Sequence, residues 1–128
     1  MFTKYNFESR GLGMIATTPI SAKTQIGTYF TKGESVTEEN RLIFDGWVES
    51  NPLGRYMNHN RNNNCDLYLS GDTINLVTNR DIRTHEELTV NYLHIIKAIN
   101  LPEELVKKYD IRDFDYVEEI IDISKNNS

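Results

Sequence analysis

The stretch Arg55-Tyr56-Met57-Asn58-His59-Asn60, continuing into Arg61-Asn62-Asn63-Asn64-Cys65, constrains the fold more than any other part of the chain. Asparagine side chains compete with the backbone for hydrogen bonds, so a run of them around one histidine is poor helix or strand material. Yet Trp47, Val48 and Leu53 precede the run and Leu67, Tyr68 and Leu69 follow it, which argues against a solvated linker. The run is either a long turn or a built ligand site, and the segments around it decide between the two.

With 128 residues and 14.9 kDa the chain has the length of one domain with a sizeable core. A net charge of −5 and a pI near 5.2 argue against general nucleic-acid binding and against an anionic membrane surface. They mildly favour a basic partner. The single Cys65 excludes an internal disulfide and a multi-cysteine zinc cluster, and it fits a reducing compartment. Three scattered histidines do not make a metal site, so no metal is expected. No apolar run approaches the roughly 18 residues that span a bilayer. Met1-Phe2-Thr3-Lys4-Tyr5 lacks the apolar core of a signal peptide. The expectation is a soluble intracellular protein that is not secreted.

Residues 2–7 alternate loosely and predict a first strand. Arg10-Gly11-Leu12-Gly13 breaks the pattern before Met14-Ile15-Ala16 resumes it. A Gly-x-Gly at that point is either a plain hairpin turn or a place where backbone N–H groups approach a ligand. A strand is predicted over 25–30, and Thr37-Glu38-Glu39 would cap a short helix carrying Leu42 and Ile43 inward. Trp47 reads as a core anchor. Residues 66–69 and 74–77 form a hairpin around Ser70-Gly71-Asp72. A further strand, Glu87-Leu88-Thr89-Val90-Asn91-Tyr92, follows the polar turn Arg83-Thr84-His85-Glu86. Beyond Asn100, Leu101, Leu105 and Tyr109 share one helical face, and Phe114, Val117, Ile120 and Ile121 another. The fold class is therefore mostly β (α+β minor), with two further helices at the C-terminal end. The division is a core over 1–95 and a helical extension over 96–128, packed on the core or on a partner subunit.

The ordered series resembles the SET domain of protein lysine methyltransferases. Arg10-Gly11-Leu12-Gly13 is similar to that family's first Gly-x-Gly motif, and 26–29 to its Ile-x-x-Tyr strand. Arg55-Tyr56-Met57-Asn58-His59-Asn60 is similar to Arg-Phe-x-Asn-His-Ser, with Asn64-Cys65 where that motif ends. Arg80-Asp81-Ile82 and Glu86-Glu87-Leu88-Thr89-Val90-Asn91-Tyr92 are similar to Arg-Asp-Ile-x-x-Gly-Glu-Glu-Leu-x-x-Asp-Tyr. The likeness covers about residues 8–92, four motifs in order, and as a compact form it is similar to viral or phage members.

The resemblance implies a SET fold of the β-clip type. Small curved sheets carry a pseudoknot in which the last motif passes under the Asn-His loop. It implies transfer of a methyl group from S-adenosyl-L-methionine to a lysine of a basic protein or peptide. A catalytically inactive SET-like binding or assembly module is the alternative. The donor would be held by Arg10, Gly11, Leu12, Gly13, Arg55, Tyr56, Asn58 and His59, Asn58 through its side chain and His59 through its backbone. Tyr92 would stand at the transfer channel, with Tyr29 as a second catalytic tyrosine. No nucleic acid, membrane or metal enters this picture, and the location would be the cytoplasm or nucleus of a host cell. The C-terminal helices would close the lysine channel, with Tyr109, Phe114 or Tyr116 as lid aromatics, or would join two copies as a homodimer.

The chain departs from the family pattern at several points. Asn60 replaces Ser, Arg61-Asn62-Asn63-Asn64 replaces Cys-x-Pro-Asn, and Asn91 replaces a frequent Asp. Val90 stands where many members have Phe or Tyr. Lys23 and His85 replace turn glycines, which predicts either other turn geometries or strained non-glycine backbone.

Overall fold

The computed structural model describes residues 1–8, 11–33, 42–100 and 102. Four strands form one sheet in the order β1-β2-β9-β6: β1 (Phe2–Asn6), β2 (Leu12–Ala16), β9 (Glu87–Val90) and β6 (Asn58–His59). Five form the other in the order β4-β5-β3-β8-β7: β4 (Leu42–Phe44), β5 (Trp47–Glu49), β3 (Gln25–Lys32), β8 (Thr73–Thr78) and β7 (Cys65–Ser70). Helices α1 (Leu53–Tyr56) and α2 (Tyr92–Ile99) complete the described residues. The mostly β class and the small sheets match the expectation from sequence.

The two sheets share one apolar core. Met14, Phe30, Ile74, Leu76, Ile82, Leu88, Ile95 and Ile96 are among its fully buried members, drawn from both sheets, from α2 and, for Ile82, from an isolated bridge to Ile20. Burial of such side chains supplies about 1.5–3 kcal/mol each, which is why β2 and β8 occupy interior positions in their sheets. Trp47 is buried in this core, as its sequence context implied. The expected hairpin β7–β8 is present and turns through Gly71-Asp72, with Ser70 paired to Thr73.

Strand β9 is inserted between two partners distant in sequence. It runs antiparallel to β2 (Met14↔Leu88, Ile15↔Glu87) and parallel to β6 (Asn58↔Thr89, His59↔Val90). The amide of Asn60 donates to the Val90 carbonyl at 2.9 Å and prolongs the parallel pairing. The loop that follows β6 then folds back onto β9 through Asn64. This interlock is the pseudoknot implied by the resemblance.

Several local expectations are corrected. Leu42 and Ile43 lie in strand β4, not in a helix, and Leu42 is exposed. Asp45-Gly46, with φ of 51° and 81°, turns β4 directly into β5. Two consecutive positive φ values form the tight connection that Asp-Gly favours between antiparallel strands. The proposed cap at Thr37 lies outside the described residues. The strand expected over 87–92 stops at Val90, because the Asn91 Oδ1 accepts from the Leu93 amide at 3.0 Å and starts α2. Ile95, Ile96 and Ile99 bury one face of that helix. Asn100 (φ 54°) is the left-handed C-cap of α2. The helices expected beyond it lie outside the described residues. Within the asparagine run, residues 53–56 form one helical turn and Asn58-His59 a short strand. Both side chains of that strand bond to other segments, so they leave their own backbone free to pair.

Candidate functional site

The glycine turn and the asparagine run meet at Gly13. Gly11 has φ of 80°, and its carbonyl accepts from the Phe7 amide at 2.9 Å to close the turn. Gly13 is required for a different reason. A Cβ there would lie 2.7 Å from Asn58 Nδ2, from Glu87 Oε2 and from Phe7 Cε2. Real Cβ atoms do not tolerate such contacts, so only glycine lets these three side chains converge on β2. The Asn58 Nδ2 donates to the Leu12 carbonyl at 3.2 Å and to Glu87 Oε2 at 2.8 Å. One side chain thereby joins β6, the glycine turn and β9.

A second group gathers at the start of α2. The Tyr92 amide donates to His59 Nδ1 at 3.0 Å, and the two rings lie with centroids 5.1 Å apart. Accepting at Nδ1 requires a neutral imidazole with its proton on Nε2. The Tyr92 hydroxyl donates to the Met57 carbonyl at 3.0 Å. Its hydrogen is therefore directed at backbone. Asn91 fills the place of a frequent Asp without loss to the helix start, since Asn and Asp are equivalent N-caps.

Asn64 locks the loop to β9. It is buried, and its Nδ2 donates to the Glu87 carbonyl at 2.8 Å and to Glu86 Oε2 at 3.1 Å. Its Oδ1 accepts from the Thr89 amide at 2.9 Å. Glu86 is held in turn by the Arg83 amide at 3.1 Å and pairs with Arg80 at 3.8 Å. The neighbouring Cys65 is buried, and loss of hydration pushes its thiol from 9.0 up to about 12, with the charge of Asp66 adding to the effect. Among the described residues, no group of three or more His, Cys, Asp or Glu side chains could hold a metal ion.

The residues singled out by sequence separate into three places. Gly11, Leu12, Gly13 and Asn58 form the cradle, and His59 with Tyr92 forms the adjoining aromatic pair. Arg55 and Tyr56 lie on α1, where the Arg55 guanidinium and Lys4 Nζ sit 5.7 and 5.0 Å from the Tyr56 ring centre. Tyr29 is buried in β3 of the other sheet and stacked on Phe30 at 4.4 Å. Arg10 lies outside the described residues. Sequence reasoning assigned no part to Phe7, Met57 or the side chain of Glu87. The Glu87 contact spans 29 residues, and only its place in the last motif hinted at it.

A cradle of backbone and asparagine beside a tyrosine that opens α2, with one loop threaded over another, defines the SET class of methyltransferase folds. The family description "SET domain" matches residues 11–93, and the chain belongs to that family. Among 181 matching solved chains is a Plasmodium falciparum protein provisionally named a histone methyltransferase. It is 14% identical with a TM-score of 0.50, over 71% of this chain and 91% of that one, a likeness of fold. No curated protein sequence matches.

Proposed function

We propose that the chain is a protein-lysine N-methyltransferase that uses S-adenosyl-L-methionine, and that its substrate is a basic protein or peptide. The observation that carries this reading is the cradle at Gly13. Its missing Cβ admits Asn58 and Glu87 beside the Leu12 carbonyl, a set of acceptors suited to a cationic amino-acid group. Gly11, Leu12, Gly13, Asn58 and the His59 backbone would hold the donor, which supplies an activated methyl group when bound.

Transfer to an amine is an in-line substitution, so alignment and exclusion of water dominate over strong acid–base groups. The target lysine must shed a proton, against an unperturbed pKa of about 10.4. An apolar, aromatic surround favours the neutral amine by desolvation. The Tyr92 hydroxyl, placed beside the cradle by its bond to the Met57 carbonyl, would orient that amine. The chain's net charge of −5 would favour a basic substrate in the encounter.

The test is incubation with labelled donor and a basic protein extract. The expected result is methyl-lysine that disappears with Tyr92→Phe, alongside donor binding measured by calorimetry. A second reading, a SET-like module without catalysis, is favoured by the same Tyr92–Met57 bond, which is also what a structural tyrosine would make. Donor binding without transfer to any lysine protein selects that reading.

A further inference from the structure

Glu87 is attached to the asparagine loop at both ends. Its carbonyl accepts from Asn64 Nδ2, and its carboxylate Oε2 accepts from Asn58 Nδ2, each at 2.8 Å. The second contact fixes more than a position. Asn58 Nδ2 faces a backbone carbonyl and a carboxylate, two groups that only accept. Chemistry therefore dictates which end of the amide points inward. Both amide hydrogens are committed, and Oδ1 accepts no hydrogen bond from any described residue. Asn58 is half-buried, so this acceptor stays within reach of a ligand.

We infer that Glu87 is a positioning residue for the α-ammonium of the methyl donor, a role that rests on the donor reading above. By claiming one Asn58 amide hydrogen while the Leu12 carbonyl takes the other, it leaves Asn58 Oδ1 as the open group, and it sets a negative charge beside that oxygen. An acceptor next to a carboxylate attracts an ammonium group and repels a carboxylate. Without the Glu87 charge the amide loses its strongest inward partner and can present its NH2 outward instead. Gly13 is part of the same device, because a side chain there would push both Asn58 and Glu87 away.

The experiment is titration calorimetry with S-adenosylhomocysteine and with its analogue lacking the α-amino group, on the full chain. Wild type should lose about tenfold or more in affinity when the amine is removed from the ligand. Glu87→Gln should weaken S-adenosylhomocysteine by about tenfold yet change the deaminated analogue by less than about twofold. Equal weakening of both ligands shows a merely structural role and overturns the inference. If Glu87→Gln does not fold, Glu87→Asp takes its place, with the same selective loss of S-adenosylhomocysteine expected, and wild-type indifference to the missing amine overturns the inference without any variant. Wild type that binds neither ligand nor S-adenosylmethionine fails the donor reading itself, and the inference falls with it.

Discussion

Asn64 behaves toward Thr89 as one strand residue does toward its neighbour, but with its side chain. The Thr89 backbone amide donates to Asn64 Oδ1 at 2.9 Å, and the Asn64 backbone amide donates to Thr89 Oγ1 at 3.3 Å. The same side chain reaches the Glu87 carbonyl, so it covers two backbone groups of β9 beyond the end of β6. Asn64→Ala would leave these buried groups without partners, each costing about 1–3 kcal/mol. Urea denaturation should show a loss of about 3 kcal/mol. A loss below about 1 kcal/mol would mean that water or repacking replaces the clamp.

Gly54 and Gly13 should differ in how much stability a methyl group costs. A Cβ on Gly54 would lie 2.2 Å from the Tyr29 carbonyl oxygen, an atom fixed by the sheet, and 3.1 Å from Glu49 Cβ. Gly54→Ala should therefore cost about 3 kcal/mol or more. At Gly13 the obstructing atoms are the ends of Asn58, Glu87 and Phe7, which can swing aside. Gly13→Ala should cost about 1 kcal/mol in stability yet weaken donor binding by about tenfold. Thermal melts with calorimetry on both variants check the contrast, and comparable stability losses would contradict it.

Lys23 and His85 replace glycines of the family pattern, and both hold a left-handed backbone, with φ of 66° and 71°. Such a conformation costs a side-chain-bearing residue about 1–2 kcal/mol, while glycine adds about 0.5–1 kcal/mol of unfolded-chain entropy. Lys23→Gly and His85→Gly should each raise stability by about 0.5 kcal/mol. Their amides bond to different carbonyls, Thr78 and Ala16, so the gains should add. Lower melting temperatures in both variants would show that side-chain contacts outweigh the strain.

What could be read from the sequence was local. The Ser70-Gly71-Asp72 hairpin and the strand around Met14 follow from period-two patterning and turn chemistry within a few residues. At Lys23 and His85 a missing turn glycine left two readings, another turn geometry or strained backbone, and the positive φ values select the second. Asp45-Gly46 carried a strong hairpin signal, but the acidic run before it suggested a helix cap. Ile95, Ile96 and Ile99 have helical spacing, yet the strand pattern at Leu88 and Val90 masked where the helix began. The parts of the site that stayed hidden are pairs far apart in the chain. Asn58 with Glu87, Asn64 with Thr89 and Tyr92 with Met57 are separated by 29, 25 and 35 residues. Their polar atoms carry no periodicity, so only the threaded fold reveals why an asparagine-rich loop sits in mid-chain.

Cys65 should be inert in the folded protein. Burial holds its thiol at about 12, above the ordinary 9.0, so the reactive thiolate is scarce at neutral pH. Alkylation should be slow in buffer and rapid in urea. The linkage has a definite sign, because the folded value is raised and the folded state prefers the protonated thiol. The stability this contributes is fully present below pH 9 and is lost as pH rises from 9 towards 12. The slope from this group should reach about 1.4 kcal/mol per pH unit and vanish in Cys65→Ala. Equal alkaline slopes in both proteins would assign the loss to other groups.

Tyr92→Phe separates the two uses of one hydroxyl. The variant removes the donor to the Met57 carbonyl, which should cost about 1 kcal/mol of stability. It also removes the only atom of that ring able to accept from an incoming amine. If Tyr92 orients the amine, single-turnover transfer should fall by about a hundredfold. Donor affinity should change by less than about threefold, since the cradle at Gly13 is untouched. A variant that loses stability but keeps its transfer rate would make Tyr92 a structural tyrosine, and the orienting group would then have to be sought elsewhere, beginning with Tyr29.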